Sequence, residues 1–203
     1  MPHKTGPGAE ECRHNRGGPW PVSFPIRDDP RALALSVIRG PDAPGIMTRG
    51  PMRAHYLDLR NQIAALTEGE DDAVALMATV ACEVHHADDR FDWTGFYRVV
   101  GPELLKIGPY QGGHGCLVIP FARGVCGAAA RTGEVQLVPD VEAFPGHIAC
   151  SSSTRSEIVL PVRDGAGRLL GVFDIDSDQP DAFDEEDVRE LGAILSDTFG
   201  RLG

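Results

Sequence analysis

Six short strand-like segments lie between helical regions in the part of the chain after residue 55, and this order restricts the fold more than any other feature. Apolar residues at helical spacing predict helices over 55–66, 73–84, 124–131 and 183–202. Runs rich in β-branched and aromatic residues, bounded by glycine turns, predict strands over 91–100, 104–110, 116–121, 135–138, 158–162 and 169–175. Neighbouring strands with helices at both ends are typical of an α+β domain with a largely antiparallel central sheet.

Residues 1–50 have a different composition from the rest of the chain. They hold half of the 16 prolines and show no sustained apolar periodicity. Such a segment cannot bury enough apolar surface to offset its ordering entropy. We therefore predict that residues 1–50 form a disordered or poorly ordered N-terminal extension and that residues 51–203 form the folded domain. An alternative is that native translation starts at Met47 or Met52.

The predicted domain is acidic, with 25 Asp/Glu and 12 Lys/Arg after residue 50. This charge disfavours binding to nucleic acid or to an anionic membrane. The sequence also lacks both a secretory signal and an apolar run of the roughly 20 residues that cross a bilayer. We expect a cytoplasmic protein that binds neither nucleic acid nor membranes. The charge is compatible with a small cationic or zwitterionic ligand.

The chain contains five cysteines without CxxC spacing: Cys12, Cys82, Cys116, Cys126 and Cys150. This spacing disfavours a structural zinc site, and no metal is predicted. Cys82 lies beside the apolar stripe of a predicted helix and is expected to be a small buried thiol. The other cysteines of an intracellular protein are either buried and inert or redox-active.

Three of the thiols, Cys116, Cys126 and Cys150, fall within 35 positions and beside irregular backbone. A helix start or nearby cations such as Arg123 would lower a thiol pKa, and Cys126 opens a predicted helix. Packing of small thiols against the sheet explains the residue types equally well. The segment 140–155 favours the redox alternative for Cys150, because long connections without regular structure are usually functional.

Carboxyl groups occur where the last two predicted strands begin and end. Asp174 and Asp176 are two residues apart, so on a strand they share one face, and Glu157 opens the preceding strand. Carboxylates on an apolar strand cost several kcal/mol unless they have partners. They could bind an ammonium group or hold a proton for general-acid chemistry. The alternative is that Asp176 only caps the strand end.

Six motifs follow one another in the order found in a known family. Together they resemble the free methionine-(R)-sulfoxide reductases, a catalytic branch of the GAF domains, and the resemblance runs from about residue 55 to residue 203. The motifs are WTGFY at 93–97, GPYQG at 108–112, IPFARGVCG at 119–127, FPGHIAC at 144–150, SEIV at 156–159 and GVFDIDS at 171–177. The resemblance implies a GAF-like fold, with a six-stranded antiparallel sheet packed against helices, and a nearly enclosed pocket for one free amino acid.

The resemblance also implies residue roles. Cys150 matches the catalytic cysteine of the family, Cys116 its main resolving cysteine, and Cys126 a third cysteine of less defined role. Glu157, Asp174 and Asp176 match the acidic residues that bind substrate and handle protons in the family. Trp93 and Tyr97 match its aromatic residues near the substrate methyl. Without the resemblance, these two aromatic residues would be interpreted as ordinary core residues. The sequence departs from the family at Ser151, where relatives are often acidic, and in a slightly longer turn at 163–168.

The implied activity is the reduction of free L-methionine (R)-S-oxide through a sulfenic acid and an intramolecular disulfide, with thioredoxin as the reductant. No cofactor is implied, and relatives suggest a homodimer. The alternative is a non-catalytic GAF domain that binds a ligand or senses redox state. Such a sensor needs an output domain, and the sequence ends directly after the last predicted helix, which favours the enzyme.

Overall fold

The computed structural model describes residues 55–146 and 151–203. The predicted extension over residues 1–50 and the thiol of Cys150 lie outside the described residues. The described part contains α1 (Tyr56–Leu66), α2 (Ala73–His85), β1 (Trp93–Gly101), β2 (Leu104–Gln111), β3 (Val118–Pro120), α3 (Gly124–Thr132), β4 (Gln136–Val138), β5 (Ser156–Arg163), β6 (Leu169–Ser177) and α4 (Glu185–Phe199). Within this part, no helix is both long enough and apolar enough to cross a membrane.

The strands form one six-stranded sheet in the order β3-β2-β1-β6-β5-β4. Every neighbouring pair is antiparallel, which confirms the predicted α+β class and the GAF-like fold. The last strand along the chain, β6, lies in the middle of the sheet between β1 and β5. Its side chains therefore have neighbours from other strands on both sides.

The sheet separates two apolar cores, because successive side chains of a strand point to opposite faces. Phe96 and Phe173 belong to the core under α1, α2 and α4, where their ring centroids lie 4.5 Å apart. Their chain neighbours Tyr97 and Val172 belong to the second core, which α3 covers. This second face carries the polar residues described below.

Several element boundaries differ from the sequence prediction by one to three residues, and two differences have a clear local cause. Helix α4 begins at Glu185 rather than at residue 183, because the Asp184 side chain accepts hydrogen bonds from the next backbone N–H groups in a capping box with Asp187. The predicted structureless segment 140–155 starts with a 3-10 turn, Val141–Ala143. The backbone N–H of Val141 donates to the Arg155 carbonyl at 3.0 Å, which ties the beginning of this segment to its end.

A buried ion-pair network fastens the outer helices to the sheet. Arg90, just before β1, donates two hydrogen bonds of 2.8 Å to Asp187 of α4 and one of 2.8 Å to Asp88. Tyr56 of α1 also donates to Asp187. Burial alone would raise the pKa of Asp187, but the hydrogen bonds from Arg90 and Tyr56 bring it below its usual value.

Replacing Arg90 by methionine is expected to lower the free energy of unfolding by about 3–5 kcal/mol, because the Asp187 carboxylate stays buried without its bidentate partner. The measurement is urea unfolding at pH 7. Arg189→Met is the matched control, since Arg189 on α4 pairs with Glu186 and Glu190 at the exposed surface and should contribute about 1 kcal/mol or less. Equal losses in the two variants would contradict this interpretation of the network.

Candidate active site

The register of three central strands assembles the polar residues of the site. Asp176 on β6 pairs with Trp93 on β1 and with Glu157 on β5. Asp174 lies on the same face of β6, as its spacing predicts, and pairs with Gly95. Asp176 lies inside β6 rather than in a turn after it, so it faces its neighbours across the strands instead of capping the strand end.

The Trp93 indole lies over the backbone of its own strand. A Cβ atom at Gly95 would be 2.6 Å from Cη2 of Trp93 and 2.4 Å from Cβ of Tyr110, so only glycine leaves room for the ring. The indole stacks on Tyr97 and Tyr110, with centroid separations of 5.8 and 5.4 Å. Its Nε1 donates to the Gly113 carbonyl at 3.0 Å, which holds the segment before Cys116 against the site.

Helix α3 packs on the same face and brings Cys126 to the carboxyl groups. The Cys126 thiol donates to Asp174 Oδ2 at 3.3 Å and lies 4.0 Å from Glu157 Oε1. All three residues are at most 5% exposed. The sequence separates Cys126 from Asp174 by 48 positions, so only the folded sheet brings them together.

These side chains border one cavity between the sheet, the start of α3 and the segment before β3. The centre of a water molecule can reach about 40 Å³ of it, and one water needs roughly 10–15 Å³. Among the described lining residues there is no lysine or arginine. They are Trp93, Tyr97, His114, Gly115, Ile119, Gly124, Val125, Cys126, Ser151, Thr154, Glu157, Asp174 and Asp176.

Burial sets the protonation of the carboxyl groups. Desolvation raises the pKa of Glu157 well above its usual range, and the charges of Asp174 and Asp176 raise it further. Burial also raises the pKa of Asp176 well above its usual range, and the charges of Asp174, Asp178 and Asp92 add to the rise. Burial raises the pKa of Asp174 to about 6, while hydrogen bonds from Cys126 and Glu157 counteract the rise. Asp174 therefore accepts two hydrogen bonds and is the member of the set that carries negative charge at neutral pH.

The pKa of Cys126 favours the packing alternative over thiolate character, which the sequence left open. Burial raises the pKa of this thiol well above its usual value, and the charges of Asp174 and Glu157 add to the rise. Burial and Asp174 likewise raise the pKa of Tyr97. Cys126 is thus a thiol that donates a hydrogen bond, and it lacks the thiolate character of a nucleophile.

The cysteines of the described part differ in state. Cys116 is disulfide-bonded, whereas Cys82 and Cys126 have free thiols. Cys116 is partly buried and packs against the core that contains Cys126. Cys82 is on α2, away from the cavity, and is partly buried rather than buried as predicted, because it lies beside the apolar stripe of the helix and not within it.

Some lining residues were not predicted from the sequence. His114 and Gly115 border the cavity, and the GGHG run before Cys116 is the sequence feature that could have indicated them. No sequence feature indicated Thr154 as a lining residue, since a single threonine in a polar segment is common. Ser151, noted only as a departure from the family, also lines the cavity.

A sequence model of the GAF domain matches residues 67–198. The six-stranded antiparallel sheet with its helices agrees with that match. The chain belongs to the GAF domain family.

Relatives define the branch of the family. The free methionine-R-sulfoxide reductase of Escherichia coli is 38% identical over 141 residues, which cover 70% of this chain and 84% of that protein. The Neisseria meningitidis reductase, solved in complex with its substrate, is 42% identical with a TM-score of 0.66, covering 71% and 87%. The reduced Staphylococcus aureus fRMsr is 35% identical with a TM-score of 0.71, covering 76% and 99%. Within the GAF family, the chain groups with the free methionine-R-sulfoxide reductases.

Replacing Asp174 by asparagine is expected to stabilise the protein at pH 7 by about 1–3 kcal/mol. The pKa of Asp174 is about 6 in the folded protein and about 3.9 when unfolded. Between these two pKa values Asp174 is protonated in the folded state and ionised in the unfolded state, so the free energy of unfolding falls as the pH rises from about 3.9 to about 6. The gain should therefore disappear toward pH 4 in unfolding measurements. The control Glu134→Gln removes an exposed carboxylate and should change little; a gain independent of pH would contradict the argument.

Proposed function

We propose that this protein reduces free L-methionine (R)-S-oxide to L-methionine in the cytoplasm. The observation that carries the proposal is the cavity in which three carboxyl groups meet a stacked pair of aromatic rings, with no described lysine or arginine in its lining. The names of the E. coli and N. meningitidis relatives support it.

The carboxyl groups recognise the ammonium group of the substrate. Asp174 carries the negative charge, and its Oδ1 has no hydrogen-bond partner within the described part of the chain. An ammonium group supplies both the missing donor and the missing positive charge. A methionine sulfoxide inside a peptide has no such cation, so the cavity selects the free amino acid.

The aromatic rings hold the other end of the substrate. Trp93 and Tyr97 are 8% and 2% exposed and form one wall of the cavity. A methyl group or a sulfur atom packs favourably against aromatic rings. This wall holds the methyl of the sulfoxide and fixes which sulfur configuration faces the attacking thiol.

Cys150 is the attacking thiol in this mechanism. Its thiolate attacks the sulfoxide sulfur while the sulfoxide oxygen takes up a proton, so that methionine leaves and Cys150 becomes a sulfenic acid. Asp176 supplies the proton, because its pKa is raised and it lines the cavity beside Trp93. Glu157 is less available for this step, since its proton already bonds Asp174.

Cys116 resolves the sulfenic acid. Its thiol attacks the Cys150 sulfur, which forms a disulfide and releases water, and a dithiol such as thioredoxin then reduces the disulfide by exchange. The disulfide at Cys116 supports this role, and the free thiols of Cys82 and Cys126 exclude those two as its partner. Cys126 assists as a hydrogen-bond donor to Asp174.

The assignment is tested with the separate R and S forms of free methionine sulfoxide and a peptide-bound control. NADPH oxidation through thioredoxin and thioredoxin reductase reports turnover. We expect activity only on the free R form. Turnover of the peptide would contradict the role of the ammonium group, and binding of the free R form without any turnover would instead support a sensor domain.

The thiol roles are tested by two variants. Cys150→Ser is expected to abolish turnover, because burial raises the pKa of the Cys126 thiol and Cys82 lies away from the cavity. Cys116→Ser should still produce about one methionine per active site in a single-turnover assay but recycle poorly with thioredoxin. Cys82→Ser is the matched control and should behave as the wild type. Substantial multiple turnover by Cys150→Ser would refute the assignment.

A further inference from the structure

Three side chains of the cavity have the spacing of metal ligands. Sγ of Cys126 and one carboxylate oxygen each of Glu157 and Asp174 all lie within 4.8 Å of one another. The sulfur is 3.3 Å from the Asp174 oxygen and 4.0 Å from the Glu157 oxygen. Ligands around a tetrahedral zinc ion, with bonds of about 2.0–2.3 Å, are about 3.3–3.8 Å apart. The sheet therefore holds these donors close to the separation that such an ion requires.

The surroundings of the cluster also favour a cation. Asp174 is 5% exposed and lines the cavity, and its Oδ1 has no hydrogen-bond partner in the described residues. The described lining contributes Asp176 as a further carboxyl group and no lysine or arginine. A buried anionic oxygen without a hydrogen-bond partner is costly, and a bound cation removes that cost.

The donor set selects the kind of metal. A thiolate with two carboxylates suits zinc and other ions that accept sulfur ligands, whereas magnesium and calcium prefer oxygen alone. Binding requires the ion to displace the protons of Cys126 and Glu157, so that two protons are released per ion. Two donors are fixed by neighbouring strands and the third by α3, so little rearrangement is needed.

We propose that Cys126, Glu157 and Asp174 form a binding site for Zn²⁺ or a similar thiophilic divalent cation, which excludes the substrate from the same cavity. The ion occupies the carboxylate oxygens that the substrate ammonium needs. Three protein ligands leave the fourth position of the ion for water. The inhibitory effect rests on the proposed reductase function, whereas the binding itself does not.

Binding is measured by titrating Cd²⁺ into the full chain in its oxidised form, with Cys116 in its disulfide. A sulfur-to-cadmium charge-transfer band in the ultraviolet should appear and saturate at one ion per chain. Cys126→Ala should abolish the band, while the matched control Cys82→Ala, which removes a free thiol outside the cavity, should retain it. Glu157→Gln and Asp174→Asn should each weaken binding at least about tenfold. A band that survives in Cys126→Ala, or no band in the wild type, would overturn the proposal.

The consequence for turnover is measured on the reduced enzyme. Zn²⁺ should raise the KM for methionine sulfoxide and leave kcat unchanged. Mg²⁺ at the same concentration should change neither the KM nor kcat. A fall in kcat at saturating substrate would show that the ion does not compete for the cavity. A chain that binds Cd²⁺ through Cys126 yet reduces no sulfoxide would refute the proposed function and leave the metal site standing.

Discussion

The burial of three carboxyl groups and a thiol on one face of an apolar sheet is the constraint on which the rest of this structure depends. Each group alone would cost several kcal/mol of stability. The fold tolerates the cluster because the groups share protons and hydrogen bonds, with Asp174 accepting from both Cys126 and Glu157. The opposite face carries the larger apolar core, which contains Phe96 and Phe173. The burial of apolar side chains in this core offsets the free-energy cost of burying the polar groups on the other face. Such a local cost compensated elsewhere is typical of functional sites.

The proposed ammonium site and the proposed metal site depend on the same electrostatics, because both ligands would meet a buried negative charge without a described counterion.

Trp93 connects two parts of the site. Its ring stacks on Tyr97, and its N–H holds Gly113, which is three residues before the disulfide-bonded Cys116. One side chain thus forms part of the aromatic wall of the cavity and also positions the segment that carries the proposed resolving cysteine.

Local patterns predicted most of the fold and part of the site. Strand periodicity placed Asp174 and Asp176 on one face, and glycine turns separated the strands correctly. The pairing of Trp93 with Asp176 could not be obtained this way, because it joins strands 83 positions apart whose register depends on the whole sheet. The ionisation of Cys126 could not be decided from the sequence for a related reason: a helix start is visible in the sequence, whereas the carboxyl groups that raise the pKa of this thiol come from β5 and β6.

The central place of β6 has a consequence for biosynthesis. The ribosome completes β1 to β5 and the whole of α3 before it reaches Asp174 and Asp176, so Cys116 and Cys126 are synthesised while the central strand β6 is still missing. Non-local strand pairs of this kind form late in folding. The nascent chain therefore contains the Cys126 thiol before the Asp174 carboxyl group that accepts its hydrogen bond, and the cavity is complete only once β6 has been synthesised.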